Sequence, residues 1–155
     1  MKIRPARVAD APAIHGLIKE HAAGGVLLPR PLADICEKIQ RFVVCEEKGV
    51  VAGCGALHVA DENLAEIRSL VVAQYRQRKG AGARMVGALE KQARALGVKN
   101  IFALSFKPAF FKKVGYRETK KEFFPHKIWH DCVKCPLFPD CGETALIKDL
   151  HTLGR

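Results

Sequence analysis

The apolar positions of this 155-residue chain follow two periodicities, which predict strands and helices in a definite order. Apolar runs of strand length, bounded by turn residues, predict strands at 2–8, 41–46, 50–60, 64–72, 100–105, 116–119 and 143–150. Apolar residues three and four apart predict helices at 10–21, 32–40, 80–96 and 108–114. Asp10 is expected to cap the first helix and Gly97 to end the third.

The order of these elements, βααβββαβαββ, predicts a mixed sheet. The strands 41–46, 50–60 and 64–72 follow one another through short turns, so they should form an antiparallel meander. The strand 100–105 follows a helical crossover and should lie parallel to 64–72. The pattern therefore predicts an α+β fold with helices flanking the sheet. The length suits a single domain over residues 1–155.

The chain carries 26 basic and 16 acidic side chains, and its formal net charge of +10 calls for an explanation. A phosphorylated cofactor, an acidic small substrate, nucleic acid or plain solubility would each account for it. The basic residues are dispersed, apart from 76–84 and 112–121, and few aromatic residues lie among them. Because single-stranded nucleic acid is usually held by interleaved aromatic and basic residues, we expect no nucleic-acid partner.

The hydropathy of the chain argues against a membrane partner. No apolar run approaches the roughly 20 residues that span a bilayer. The first residues lack the apolar segment of a signal peptide. We therefore expect a cytoplasmic protein.

The most informative local motif is Gln77-Arg78-Lys79-Gly80-Ala81-Gly82, between the strand 64–72 and the helix 80–96. A glycine-bearing loop at a strand-to-helix junction directs several backbone N–H groups and the positive end of a helix dipole at one point. With its basic side chains, this loop predicts a pyrophosphate site, although its spacing differs from the dinucleotide and P-loop motifs. The alternative is a basic helix N-terminus without a ligand.

This loop resembles the acetyl-CoA pyrophosphate loop of the GNAT (Gcn5-related) N-acetyltransferases. The segments 3–10, 66–72 and 110–116 resemble that family's opening strand, central strand and aromatic helix, so the resemblance extends over nearly the whole chain. It implies the GNAT fold, a mixed sheet with two splayed parallel strands. It also implies direct acetyl transfer from acetyl-CoA to an amine through a ternary complex.

The resemblance implies two sets of cofactor contacts. The pantetheine arm would pair with the backbone of the strand 64–72, and the pyrophosphate would bind the glycine loop. The residues expected at the cofactor are Leu70, Val71, Val72, Gln77, Arg78, Lys79, Gly80, Ala81, Gly82, Phe110 and Phe111. Core packing is the alternative role of the two phenylalanines. Many GNAT enzymes have a tyrosine general acid at the position matching Phe111, and phenylalanine cannot donate a proton.

Glu66 is the candidate general base, because an amine must lose a proton before it attacks a thioester. Arg68 lies two residues further along the same strand and should project to the same face. Arg68 could then hold an anionic substrate while Glu66 takes the proton. An ion pair between them with no catalytic role is the alternative.

The tail 124–143 resembles that of the short, stand-alone N-acetylglutamate synthases. The resemblance implies L-glutamate as the acceptor, the first step of arginine biosynthesis, with Arg30, Arg68 and Lys127 as carboxylate-binding residues. Longer enzymes add an arginine-sensing domain, for which 155 residues leave no room. The alternatives are another amino acid, a small amine, a protein N-terminus, or a nucleic-acid-binding module with a metal-stabilised tail.

The six cysteines fall into two groups. Cys36, Cys45 and Cys54 lie in apolar or periodic segments and are expected in the core. The spacing of Cys132, Cys135 and Cys141 is partly that of a structural zinc site, and the candidates for a fourth ligand are His126, His130 and Asp140. Reduced thiols, a disulfide formed on oxidation and iron–sulfur chemistry are the alternatives. The apolar tail could also form a homodimer interface.

Overall fold

The computed structural model describes residues 1–23, 30–77, 79–120, 124 and 142–150. Its strands are β1 (Lys2–Pro5), β2 (Phe42–Glu47), β3 (Val50–Asp61), β4 (Leu64–Val72), β5 (Asn100–Ser105), β6 (Arg117–Thr119) and β7 (Thr144–Asp149). Its helices are α1 (Ala11–Ala23), α2 (Leu32–Glu37), α3 (Ala81–Ala95) and α4 (Pro108–Lys113), and short 3₁₀ turns lie at Val8–Asp10, Ile39–Arg41 and Gln74–Arg76. The predicted order of strands and α-helices is confirmed, and β4 and β5 have the predicted bounds.

The strands form one sheet in the order β1-β2-β3-β4-β5-β7-β6. The first four strands are antiparallel neighbours, so the predicted meander is confirmed. β5 lies parallel to β4 after the crossover through α3, as predicted. β7 lies between β5 and β6 and is antiparallel to both.

Helices cover both faces of the sheet. Met85, Leu89 and Ala93 of α3 are buried against one face together with Ala65 and Ile67 of β4. The helices α1 and α2 are buried against the opposite face, with Ala56 and Val71 among the sheet residues beneath them. Side chains alternate between the two faces along a strand. Because Ala65 and Ile67 face α3, Glu66 and Arg68 project toward the face of α1 and α2.

A bulge interrupts the pairing of β3 with β4. Cys54 pairs with Val71 and Ala56 with Arg68, so Ser69 and Leu70 together face Gly55. A side chain at Gly55 would place its Cβ 3.0 Å from Cδ1 of Leu70, which explains the glycine. Ser69 adopts a positive φ of 53°. Ile67 and Leu70 are three positions apart, so a regular strand would place their side chains on opposite faces. The bulge shifts the alternation by one residue, and both side chains pack in the core beneath α3.

The two parallel strands separate just before this bulge. Their pairing runs from Leu64–Asn100 to Glu66–Phe102 and, in the described part of the chain, extends no further, although β4 continues to Val72. β4 thus has an edge without a strand partner on the side of β5. This is the splay that the resemblance predicted.

Two local predictions are wrong in their detail. The Asp10 carboxylate does not cap α1; it accepts hydrogen bonds from the Arg7 N–H at 2.7 Å and from the Arg4 guanidinium at 2.8 and 3.0 Å. The bond from Arg4 lowers the pKa of Asp10. Cys36 is exposed rather than in the core, because Ile35 is the residue that α2 buries. Cys45 and Cys54 are buried as expected.

The described helices include none with the length and hydrophobicity to cross a bilayer.

The helix α3 contains a buried carboxylate, Glu90, which is bound by two side chains that follow it in the chain. Tyr116 donates its hydroxyl to Glu90 Oε2 at 2.8 Å, and Lys148 Nζ lies 3.1 Å from the same oxygen. Lys148 also donates to the carbonyl of Val114 at 2.9 Å. This cluster ties β7 and the turn after α4 to the helix that follows the glycine loop.

Tyr116 should make stability depend on alkaline pH. Burial, assisted by the adjacent Glu90 carboxylate, raises the pKa of Tyr116 above its usual value. An unfolded tyrosine loses its proton near pH 10, so above that pH the unfolded state binds fewer protons than the folded state and stability falls as pH rises. We expect Tyr116→Phe to remove up to about 1.4 kcal/mol per pH unit of this slope in urea unfolding between pH 10 and 11.

The matched control is Tyr75→Phe, because Tyr75 is 64% exposed. This control should leave the slope of the free energy of unfolding against pH unchanged. An unchanged slope in Tyr116→Phe would contradict the assignment of the raised pKa to this group.

Candidate active site

The glycine loop joins the end of β4 to the N-terminus of α3. Gln77 Nε2 donates to the carbonyl of Val72 at 3.0 Å, so the loop is held against the last residue of the strand. Gly80 is the N-cap of α3 and has a φ of 84°, a left-handed conformation that glycine adopts without steric cost. Lys79 and Gly80 are exposed and Ala81 is buried. The N-terminus of α3 therefore lies at an exposed surface, where an anion could reach the first N–H groups of the helix.

The two candidate phenylalanines of α4 have different surroundings. Phe110 packs against Gly82, where a Cβ would lie 3.0 Å from the Phe110 ring and 3.8 Å from Val72 Cγ2. Phe110 therefore contacts the first turn of α3, which lies close to the end of β4 at this point. Phe111 is buried in the core, with its ring 5.3 Å from that of Tyr116. Tyr116 is 4% exposed, as expected for a core residue.

Glu66 lies at the last paired position of β4 and β5, where the strands begin to separate. Its side chain is 4% exposed, and Arg68 Nε donates to Glu66 Oε1 at 2.6 Å. The ion pair considered as an alternative is thus formed. It holds the carboxylate in one orientation at the point where the two strands separate.

The strands on either side of Glu66 bring two further side chains to its face of the sheet. His58 is the cross-strand partner of Glu66 on β3, and its Nδ1 lies 3.3 Å from Arg41 Nη1. Phe102 is the partner on β5 and stacks on Phe124 with ring centroids 4.1 Å apart. Phe124, from the segment predicted as the tail, therefore contacts the sheet beside the candidate base. Sequence analysis missed His58, because only the strand register reveals it.

Arg30 is held at the bulge of β4. Its Nε donates to Asp34 Oδ2 at 2.8 Å, its Nη2 lies 2.8 Å from the same oxygen, and its Nη1 donates to Ser69 Oγ at 2.9 Å. The guanidinium carbon lies 5.1 Å from the centre of the Phe42 ring. The Arg30 side chain is 16% exposed, so it is not a freely solvated surface charge. Ser69 follows Arg68, so both candidate carboxylate-binding arginines lie at the bulge.

Asp34 is ionised at neutral pH in this arrangement. Burial raises its pKa, but the hydrogen bonds from Lys38 and Arg30 outweigh burial and lower it overall. Lys38 Nζ lies 2.8 Å from Asp34 Oδ1. Sequence analysis missed Asp34, although its position four residues after Arg30 is typical of an ion pair. Ser69 gave no signal of this kind.

Several predicted site residues lie outside the described part of the chain. They are Arg78 of the loop, the tail residue Lys127, the cysteines Cys132, Cys135 and Cys141, and the candidate ligands His126, His130 and Asp140. Within the described ranges, no group of three or more histidine, cysteine, aspartate or glutamate side chains could hold a metal ion. The zinc site in the tail therefore stays a prediction.

Comparisons with known proteins agree with this geometry. The model of the acetyltransferase (GNAT) family matches residues 19–116. An uncharacterized N-acetyltransferase of Chlorobaculum tepidum is 42% identical over 148 residues, which cover 96% of each chain. An amino-acid acetyltransferase of Mycobacterium tuberculosis is 39% identical over 121 residues, which cover 76% of this chain and 69% of that protein.

A solved structure shares the same fold. The N-acetylglutamate synthase from Neisseria gonorrhoeae, complexed with coenzyme A and N-acetyl-glutamate, matches with a TM-score of 0.84 and 27% identity. The match covers 97% of this chain and 35% of that one. It supports the assignment of the splayed mixed sheet to the GNAT fold.

Gly80 should be required for its backbone conformation alone. Apart from its two chain neighbours and the backbone of α3, no atom of the described residues lies within 4 Å of a Cβ built at Gly80, so we expect a substitution there to act through the positive φ. We expect Gly80→Val to lower the free energy of unfolding by about 1–2 kcal/mol and Gly80→Asn by less, because asparagine tolerates this conformation better. Urea unfolding measures both.

The matched control is Gly87→Ala, at an exposed position within α3 that also has open space around it. This variant should be stabilised by about 0.5–1 kcal/mol, because alanine favours the helix. Equal losses for Gly80→Val and Gly80→Asn would argue against the conformational explanation.

Proposed function

The chain belongs to the acetyltransferase (GNAT) family, and from this premise we propose that it transfers the acetyl group of acetyl-CoA to the α-amine of L-glutamate. The observation that carries the proposal is the position of Arg30 and Arg68 at the bulge of β4, beside the buried carboxylate of Glu66. Two guanidinium groups suit an acceptor with two carboxylates. The Glu66 carboxylate, at the last pair before the strands separate, suits an amine that must be deprotonated.

Acetyl-CoA would bind along the open edge of β4. The backbone of Leu70, Val71 and Val72 follows the last pair with β5 and could hydrogen-bond an extended pantetheine arm. The loop from Gln77 to Gly82 would hold the pyrophosphate through the N–H groups at the start of α3. Phe110, which packs on Gly82, would lie at the junction of these two parts.

The proposed chemistry is a direct attack. Glu66 takes a proton from the ammonium group, and the amine nitrogen then bonds to the thioester carbonyl carbon. The C–S bond breaks, the nitrogen releases its second proton to solvent as the amide forms, and CoA leaves as a thiolate, which takes a proton from solvent. Phe111 cannot supply this proton, and the Tyr116 hydroxyl is committed to Glu90 at 2.8 Å in the core. Neither residue therefore acts as the general acid.

The acceptor would lie on the face of α1 and α2. Arg30, Arg68 and Lys127 would bind its carboxylates, and Phe124, the first residue of the predicted tail, stacks on Phe102. Relatives named amino-acid acetyltransferase, and the synthase bound to N-acetyl-glutamate, support an amino acid as the acceptor. We place the reaction in the cytoplasm, at the first step of arginine biosynthesis. We also propose that residues 1–155 form a single domain, that the protein forms a homodimer and that zinc stabilises its tail.

Release of free CoA tests the acceptor. The purified protein should release CoA from acetyl-CoA with L-glutamate in preference to a panel of other amino acids, including glutamine. We expect Arg30→Ala to raise KM for L-glutamate by about 10- to 100-fold while KM for acetyl-CoA stays the same, because only the acceptor loses a charged partner.

Arg117→Ala serves as the charge-matched control, since Arg117 is exposed on β6. It should change neither KM. Release with another amine but not with L-glutamate would retain the family and reject this acceptor.

Substitution of Glu66 tests the base. We expect Glu66→Gln to lower kcat by about 10²- to 10⁴-fold, the usual contribution of a general base, with KM for acetyl-CoA within about twofold of the original. Steady-state kinetics at saturating L-glutamate measures the effect. Glu118→Gln, which removes an exposed carboxylate from β6, should keep the full kcat. A Glu66→Gln variant that also retains kcat would assign the proton to another group.

A further inference from the structure

The contacts of α2 suggest a role for Asp34 that goes beyond ion pairing. We propose that Asp34 is a positioning residue, which orients the Arg30 guanidinium at the bulge of β4 so that Arg30 meets a carboxylate of the acceptor. The inference rests on the proposed function, because it assumes that Arg30 binds the acceptor. It is carried by two sets of contacts and by the net charge of the group that they form.

The first set involves both oxygens of the Asp34 carboxylate. Oδ2 accepts from Arg30 Nε at 2.8 Å and lies 2.8 Å from Nη2, whereas Oδ1 lies 2.8 Å from Lys38 Nζ. Arg30 precedes α2 and Lys38 follows its last residue, four positions before and after Asp34, and each forms an ion pair with the carboxylate. The Asp34 carboxylate is therefore bound through both oxygens, and it offers the Arg30 guanidinium an acceptor of fixed position.

The second set fixes the other end of the guanidinium. Nη1 donates to Ser69 Oγ at 2.9 Å, and Cζ lies 5.1 Å from the centre of the Phe42 ring. Phe42 is completely buried in the core beneath α1 and α2. Residues of α2, β2 and β4 thus restrain one side chain that would otherwise sample many rotamers. Arginine has five N–H donors, so donors remain for an acceptor carboxylate.

The third observation concerns charge. Arg30 and Asp34 alone would form a neutral pair, which would attract an anionic acceptor only weakly. Lys38 adds a positive charge to the pair, so the group of Arg30, Asp34 and Lys38 carries a net charge of +1. Asp34 can therefore orient Arg30 while the group stays cationic overall.

A double-mutant cycle tests whether Asp34 acts through Arg30. We expect Asp34→Ala to raise KM for the acceptor about tenfold, with kcat and KM for acetyl-CoA changed by less than about twofold. In the Arg30→Ala background, Asp34→Ala should change KM for the acceptor by less than about twofold, because the residue that it positions is absent. The same rise in KM in both backgrounds, or no rise in either, would overturn the proposal.

The NMR signal of the Arg30 Nε–H group gives a second measurement, which needs no substrate. It is assigned by its absence from the spectrum of Arg30→Lys. We expect Asp34→Ala to shift this signal and to speed its exchange with water, because Nε loses its acceptor. Glu37→Ala, which removes an exposed carboxylate from the same helix, should leave the signal unchanged. A signal that is unchanged in Asp34→Ala would overturn the proposal.

The two measurements separate this inference from the proposed function. Failure of the unsubstituted enzyme to acetylate L-glutamate would reject the proposed acceptor, and the kinetic cycle would then use the amine that the panel identifies. Without an active amine, the NMR result alone decides whether Asp34 orients Arg30. Alanine is favoured in a helix, so Asp34→Ala should fold, and its thermal unfolding transition verifies this.

Discussion

The candidate site depends on the bulge that sets Ser69 and Leu70 of β4 opposite Gly55 of β3. Without the extra residue, Leu70 would turn away from α3, because side chains alternate along a strand. With it, Leu70 packs in the core beneath α3, whereas Glu66 and Arg68 keep their charges on the face of α1 and α2. One strand therefore supplies an apolar core and a charged site, and it does so where its pairing with β5 ends.

The surroundings of Ser69 compensate for the strain of this bulge. A positive φ of 53° costs a serine of the order of 1 kcal/mol. The Ser69 hydroxyl accepts from Arg30, and its carbonyl accepts from the Cys54 thiol at 3.4 Å. Burial raises the pKa of Cys54 to about 12, so this thiol keeps its proton as a donor. The irregular backbone is thus stabilised by a candidate substrate-binding residue on one side and by the core on the other.

The sequence predicts the features that depend on neighbours in the chain. The bounds of β4 and β5 follow from strand-length segments rich in apolar residues, and the pairing of Glu66 with Arg68 follows from their spacing along one strand. It does not predict the bulge, because β4 contains no glycine and nothing in its spacing distinguishes Ser69 from a regular strand position. It also misassigns Asp10, because the spacing does not reveal that the Arg4 side chain turns back onto this carboxylate. It misses His58, because the register of β3 against β4 is not visible in the sequence.

The ion pairs of the site have a common arrangement, in which each candidate arginine already has a carboxylate of its own. Arg68 is paired with Glu66 and Arg30 with Asp34, so two guanidinium groups can approach the same bulge without large repulsion. An amino acid carries an ammonium group and at least one carboxylate, so it fits this alternation of charge better than a simple anion does. Its ammonium group would approach Glu66 while its carboxylates approach the arginines. The protein carboxylates hold the guanidinium groups in place beforehand, so binding an acceptor would order few additional side chains.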